Sequence, residues 1–411
     1  MVLTPEKQYS VNWNPLCISP VIHTGFRCPR AVGGARTMEP DTQDSSPGPQ
    51  TVEDAIEEFL NSGTKSGNYK SNLRSVLEKW YGWLTDRGIT ELNAVDKRVM
   101  ANYAEHLHQR ITAGQTPTVD GGISAATAWT YLDYISAFLD YCVEWDYISH
   151  NPAQKGIVKG ELPDRPTSDS SAQQFWSPGD REELIAYVDD QAAEAIEQDG
   201  LQAVTTLRDR ALAYVLAYSG VRGGEILSDP RDDRRVGLRW KHVEIEDNRI
   251  TVLGKDQQWE SAQLPKQAHQ PLKQLRRVLD PASEEWPVFP SNHAPSIYSK
   301  LPDGWERPAD DDRSLFDHCR TLGVLPPALS TNGGRNVLKR ICDEADLDID
   351  GEYLKPHGGR RGAGETLYRE LDAAAAQRAL RHKDPATTSK MYSHIDASEL
   401  AEDTSEAFEN S

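Results

Sequence analysis

Tyr353-Leu354-Lys355-Pro356-His357-Gly358-Gly359-Arg360, followed by Leu380-Arg381-His382 and by Met391-Tyr392-Ser393-His394, carries most of what this sequence says. Asp384-Pro385 marks a helix start, because an Asp side chain accepts from free amide groups and Pro is tolerated where no donor is needed. Tyr392 is therefore expected about two turns into a short helix. Upstream, Gly362 to Leu371 and Ala373 to Leu380 read as helix with a small-residue face. The two helices should bracket His382 and Tyr392, with His357 and Arg360 at the entrance.

Working outward, Gly220-Val221-Arg222-Gly223-Gly224-Glu225 reads as a turn re-entering a helix. A cation at a helix start is disfavoured by the positive helix end, so a bound anion would repair the mismatch. Glu225 is open to pair with Arg222 or with another neighbouring group. Leu238-Arg239-Trp240 follows after an insertion, Asp229 to Val236, expected to form a surface loop. Arg249 to Lys255 and Ser261 to Pro265 alternate around a polar turn and predict a β-hairpin. Residues 280–330 carry eight prolines and read as a long irregular connection, whereas Asn336 to Ala345 resumes a helix.

The N-terminal half reads differently. Residues 1–50 show no period and are expected to be a disordered leader, with Met38 as a candidate native start. From Thr51, a plausible cap, apolar residues recur at three- and four-residue steps in four segments. These are Ala55 to Leu60, Leu73 to Leu84, a third from about Asp96, and a fourth from about Ser124 to Cys142. Four helices with short links predict a helical domain over 51–153. Polar residues 154–176 read as a linker, 177–396 as a second domain beginning at Ser177-Pro178, and 397–411 as an acidic tail.

The chain has 411 residues and a formal charge of −19. Such a charge argues against nucleic-acid binding, which draws on basic surface, but its distribution does not. Residues 351–395 hold eight Lys or Arg against five Asp or Glu, and residues 64–112 hold the same balance. An acidic chain with locally basic faces suits a cell of high internal salt, hence a halophilic archaeon. No apolar run is long enough for a membrane helix, no signal peptide is read, and five irregularly spaced cysteines fit a reducing cytoplasm. Cys17, His23 and Cys28 match no metal-finger spacing.

His357-x-x-Arg360, Leu380-x-His382, Thr387-Thr388 and Tyr392-Ser393-His394 resemble the C-terminal signature of the tyrosine recombinases, the phage integrase family. Arg222 resembles that family's first arginine box, and Lys255 its hairpin lysine. The resemblance implies a mainly α fold with a small β-sheet, in which a helical core-binding (SAM-like) domain precedes an α+β catalytic domain. It implies a site-specific recombinase acting on double-stranded DNA, as a tetramer on synapsed sites, with neither ATP nor metal. Tyr392 would be the nucleophile of a 3′-phosphotyrosyl intermediate, and Arg222 and Arg360 would grip the phosphoryl oxygens. His357 would assist proton transfer, His382 would hydrogen-bond a phosphoryl oxygen, and Lys255 would protonate the departing 5′ oxygen. Those residue types suit the chemistry. A phenol with an ordinary pKa near ~10 needs a base and positive charge to attack at neutral pH, and guanidinium forks match developing phosphoryl charge.

On the helical domain, Lys65, Lys70 and Arg74 start the second helix off its apolar stripe and are expected to touch phosphate. Several positions depart from the family pattern: Gly358-Gly359 before Arg360, Arg361 after it, Arg381 for the usual Gly, Trp259-Glu260 where a basic residue is common, and one extra residue between His382 and Tyr392. Tyr368 is a competing tyrosine placed mid-helix, where a core role is expected. Two other readings remain, a DNA-binding regulator with the same fold and little turnover, and a type IB topoisomerase-like relaxase.

Overall fold

Thr51 caps the first helix as the sequence suggests: its hydroxyl accepts from the Asp54 amide at 3.1 Å. The computed structural model describes residues 51–63, 65–114, 122–166, 173–308, 310–349 and 351–393. The leader with Cys17, His23 and Cys28, together with His394 and the acidic tail, lies outside those residues. Helices α1 (Val52–Asn61), α2 (Gly67–Thr85), α3 (Lys97–Gly114) and α4 (Ala125–Glu144) pack their apolar stripes into one core. Trp80, Leu77, Phe138 and Ile135 are fully buried there. Each such side chain contributes roughly 1.5–3 kcal/mol relative to exposure.

The polar stretch read as a linker is partly structured. It contains α5 (Gly156–Gly160), and Val158 and Leu162 join the first core. Trp176, at its far end, belongs to the second core. Two buried apolar residues among many polar ones leave too weak a period to be read.

The second core is built by α6 (Pro178–Asp199), α7 (Val204–Tyr218) and the short α8 (Gly223–Ile226). It continues through strands β1 (Val243–Glu244), β2 (Arg249–Leu253) and β3 (Trp259–Gln263), then α9 (His269–Leu279). The sheet is antiparallel in the order β1-β2-β3, with Leu253 opposite Trp259, so β3 begins two residues before the expected start. Leu253, Gly254 and the turn to Gln258 bring Lys255 to the hairpin tip.

Residues 280–330 are less irregular than their prolines imply. Trp286, Val288 and Phe289 are buried in the second core, and the segment holds α10 (Ala294–Tyr298) and α11 (Leu315–Leu322). The chain ends its described part with α12 (Thr331–Glu344), α13 (Pro356–Glu370), α14 (Ala373–Leu380) and α15 (Pro385–Met391). Asp384 caps α15 by accepting from the Ala386 amide at 2.9 Å, and Tyr392 is the residue at its C-terminal end. The loop expected at 229–236 does lie at the surface, with Pro230, Arg231, Asp233, Arg234 and Val236 exposed, but it is anchored from within. Asp229 and Asp232 are buried, and Arg235 donates to the carbonyls of Gly224 (2.8 Å), Leu253 (3.1 Å) and Gly254 (2.8 Å). A run of charges is polar in sequence whether it faces water or closes on itself.

Candidate active site

Helix α13 starts at Pro356, whose missing amide donor is no loss in a first turn, and its first turns press against Trp176. The Trp176 indole donates to the Lys355 carbonyl at 2.9 Å, and its backbone amide donates to the Gly358 carbonyl at 3.1 Å. A Cβ at Gly362 would stand 2.3 Å from the Trp176 carbonyl oxygen, so the small-residue face is a condition of this packing. Gly358-Gly359, the departure that precedes Arg360, has the same cause, since a Cβ at Gly358 would stand 2.7 Å from the Trp176 ring and one at Gly359 2.7 Å from the Leu216 carbonyl oxygen.

Arg360 is 5 % exposed and ties three segments together. Its guanidinium donates to the carbonyl of Gly220 at 2.5 Å and to the carbonyl of Leu380. Gly220 lies two residues before Arg222, and Leu380 two before His382. Burial, with Arg222 nearby, lowers the Arg360 pKa to about 9, which keeps it charged at neutral pH.

His382 is half-buried and shares a hydrogen bond with the hydroxyl of buried Thr388 at 2.8 Å from Nδ1. Burial first, then Arg360, Arg222 and Arg381, push its pKa down to about 4. The neutral imidazole is thus the resting form. His357 presents surface at the start of α13, yet the protein around its ring, followed by Arg361, Arg360, Arg222 and Arg335, also lowers its pKa. These shared causes place Arg222, Arg360 and both histidines within one electrostatic field.

Arg222 is the N-cap residue of α8, and Glu225 satisfies it twice: the carboxylate accepts from the Arg222 amide and from Nη1, both at 2.7 Å. Burial raises the Glu225 carboxyl, but Arg381 and Arg222 more than offset it, so its pKa lies below the usual carboxylate range. Lys255 is exposed and makes no hydrogen bond or ion pair with the described residues. Its neighbour Asp256 pairs with Lys383, the residue after His382.

Tyr392 is brought beside this group but is stowed. It is fully buried, and its hydroxyl donates to the Arg361 carbonyl at 3.2 Å. Phe175 and Tyr368 flank the ring at 6.3 and 5.3 Å between centroids. Burial raises the phenol pKa well above its usual value, and Arg360 and Arg361 only partly oppose that. Among the described residues no hydrogen bond links Tyr392 to His357, Arg360 or His382.

On the helical domain the three basic residues are engaged. Lys65 donates to the carbonyls of Phe59 (2.7 Å) and Ser62 (2.5 Å), closing the end of α1. Lys70 donates to the Asn61 side chain at 2.9 Å, and Arg74 forks onto Glu57 at 2.6 and 3.2 Å. A cleft of about 1090 Å³, lined in part by Arg208, Asp209, Ser330, Asn336 and Arg340, contains none of the candidate catalytic residues.

Three side chains that hold the site were not picked out from the sequence: Arg235, Glu260 and Thr388. The last two stood within or beside quoted motifs, Trp259-Glu260 and Thr387-Thr388, but nothing there indicated their partners.

Residues 188–399 match the model of the phage integrase family, and residues 51–158 match that of the phage integrase SAM-like domain. Among solved structures, a lambda integrase dimer bound to a COC' core site is 14% identical, with 83% of this chain and 77% of that chain covered at a TM-score of 0.50. XerH site-specific recombinase in a post-cleavage complex with palindromic difH substrate is 16% identical, covering 86% and 83% at a TM-score of 0.52. Tn1549 transposon integrase in complex with transposon right end DNA is 13% identical, covering 86% and 99% at 0.50. At these identities the likeness concerns the fold. No curated protein matches the chain.

Proposed function

Since this chain belongs to the phage integrase family and is a site-specific tyrosine recombinase, we propose that it cleaves and rejoins DNA through Tyr392, with Arg222, Lys255, His357, Arg360 and His382 completing the site. The observation that carries the assignment is the double hydrogen bond of Arg360 to the carbonyls of Gly220 and Leu380. It fastens the segments bearing Arg222 and His382 around one buried guanidinium.

The scissile phosphate takes the place of the missing anion at Arg222. Arg222 and Arg360 hold its non-bridging oxygens and bind the developing charge most tightly in the transition state. Neutral His382 donates a hydrogen bond to a phosphoryl oxygen, and neutral His357 accepts the phenol proton. The Tyr392 oxygen bonds to phosphorus, the bond to the 5′ oxygen breaks with its electron pair, and Lys255 supplies that oxygen with a proton. Buried Tyr392 is the off state in this reading: DNA binding has to free the phenol from the Arg361 carbonyl and move it toward Arg360.

Lys65, Lys70 and Arg74 are proposed phosphate contacts on the helical domain, for which phosphate has to displace the helix-end carbonyls, Asn61 and Glu57. The active assembly is proposed as a tetramer on two synapsed duplexes, in the cytoplasm of a halophilic archaeon. The charge of −19 supports the salt-rich host, and no helix among the described residues is long and apolar enough to cross a membrane.

Incubation of the protein with two duplexes carrying the attachment sequence of its genetic element, in molar KCl with chelator, tests the reaction. Recombinant duplexes support the proposal. Relaxation of supercoils without exchange would indicate a relaxase, and site binding without cleavage a regulator.

A further inference from the structure

We propose that Arg381 is a positioning residue, which fixes Lys255 over the scissile phosphate by tying the β2–β3 turn to the segment that carries His382. This rests on the reading of Lys255 as the proton donor to the 5′ oxygen.

The residues on either side of Lys255 are held by the residues on either side of His382. Asp256 pairs with Lys383. Gly254 lies under the Glu260 carboxylate so closely that a Cβ there would be 2.4 Å from Oε1, and Arg381 Nε donates to the other oxygen of that carboxylate at 3.1 Å. The second arm of Arg381 reaches Glu225, which also holds Arg222. One side chain, 10 % exposed, thus links the first arginine segment, the hairpin and the His382 segment.

The backbone at Arg381 makes the point sharper. Its φ is +54°, a left-handed helix end at which glycine is the unstrained residue. An arginine there accepts local strain, and the ion pairs identify what the side chain supplies in return. Arg381 and Glu260, two separate departures from the family pattern, are partners across 3.1 Å. Lys255 has no partner of its own among the described residues, so its place depends on the turn beneath it.

The test uses full-length protein and two suicide substrates, one with the normal 5′ oxygen and one with sulfur in its place. With sulfur the P–S bond breaks and the thiolate leaves unprotonated, since a thiol is far more acidic than an alcohol, with a pKa near ~8.5. Arg381→Gly keeps the fold, because glycine suits the backbone, and Glu260→Gln removes only the hairpin half of the linkage. Both should slow cleavage of the oxygen substrate by roughly tenfold to a hundredfold, part of what a placed proton donor supplies. On sulfur Glu260→Gln should regain a near wild-type rate and Arg381→Gly most of its loss, the remainder being its Glu225 half, and the double variant should be no slower than Arg381→Gly, as for residues acting through one bond. Equal slowing on both substrates, or effects that multiply, would overturn the proposal. Lys255→Ala is the control: if sulfur does not rescue it, the proton-donor reading fails and takes this proposal with it, whereas rescue of Lys255→Ala alone refutes Arg381 and leaves that reading intact.

Discussion

The Tyr392 hydroxyl donates its hydrogen bond to the backbone carbonyl of Arg361, the residue beside the arginine it is proposed to serve. The phenol therefore rests on α13 one residue from Arg360, yet it is not hydrogen-bonded to the Arg360 guanidinium, which donates to the carbonyls of Gly220 and Leu380. In the proposed role this contact keeps Tyr392 from reacting without DNA, and how tightly α13 holds the ring sets the cost of releasing it.

Gly364 sets that grip. A Cβ there would stand 2.1 Å from the Tyr392 hydroxyl and 2.5 Å from Leu380 Cδ1. Gly364→Ala should expel the ring, cost about 1–3 kcal/mol by overpacking, and raise the nitration of Tyr392 by tetranitromethane in free protein. Peptide mass spectrometry reads the site, and unchanged nitration would show that the pocket tolerates the methyl group.

Arg360 combines structure and chemistry. Arg360→Lys keeps a charge but loses the fork that joins Gly220 and Leu380. Single-turnover cleavage should fall on the order of 10²–10³-fold, as for loss of one donor to transition-state charge. Melting temperature should fall as well, because a buried carbonyl is left unpaired.

The pH dependence follows from His382. Its folded pKa of about 4 lies below the ordinary value for histidine, so between the two the unfolded chain binds the extra proton. Stability from this group is fully present above about 6.5 and is lost as pH falls toward 4. Urea unfolding from pH 4 to pH 7 should show this slope, and Arg381→Gly, which removes one of the charges that lower this pKa, should reduce it. An NMR titration of the ring with a midpoint near 6.5 would contradict the assignment.

Arg235 carries a prediction for the hairpin. Arg235→Ala removes the side-chain donor from the carbonyls of Gly224 and Leu253 and leaves that of Gly254 with the Gln257 amide at 3.3 Å, and should cost roughly 2–4 kcal/mol in urea unfolding. Hydrogen exchange of the β2–β3 amides should quicken, while the helical domain is unaffected.

Much of this was legible in the sequence because it rests on local rules. The helix starts at Thr51, Ser124, Ser177 and Asp384 were visible from apolar residues recurring after the first two and from Pro directly after the last two. The order of Arg222, Lys255, His357, Arg360, His382 and Tyr392 was enough to suggest one site. The missing parts are those set by distant partners. Arg381 and Glu260 are 121 positions apart, and no local period announces their bond. The burial of Trp286-Pro287-Val288-Phe289 was obscured by its prolines, although four consecutive nonpolar residues were a usable sign. Nor does any motif report that Tyr392 rests against the Arg361 carbonyl, because the two are 31 positions apart and meet only through packing.

The most direct measurement is covalent trapping of the full-length protein on a nicked suicide substrate bearing its attachment site, in molar KCl with chelator, followed by mass spectrometry of the linked peptide. The account predicts a 3′-phosphate ester on Tyr392, absent in Tyr392→Phe and still formed by Tyr368→Phe. A covalent product on Tyr368, or one that persists in Tyr392→Phe, would contradict it.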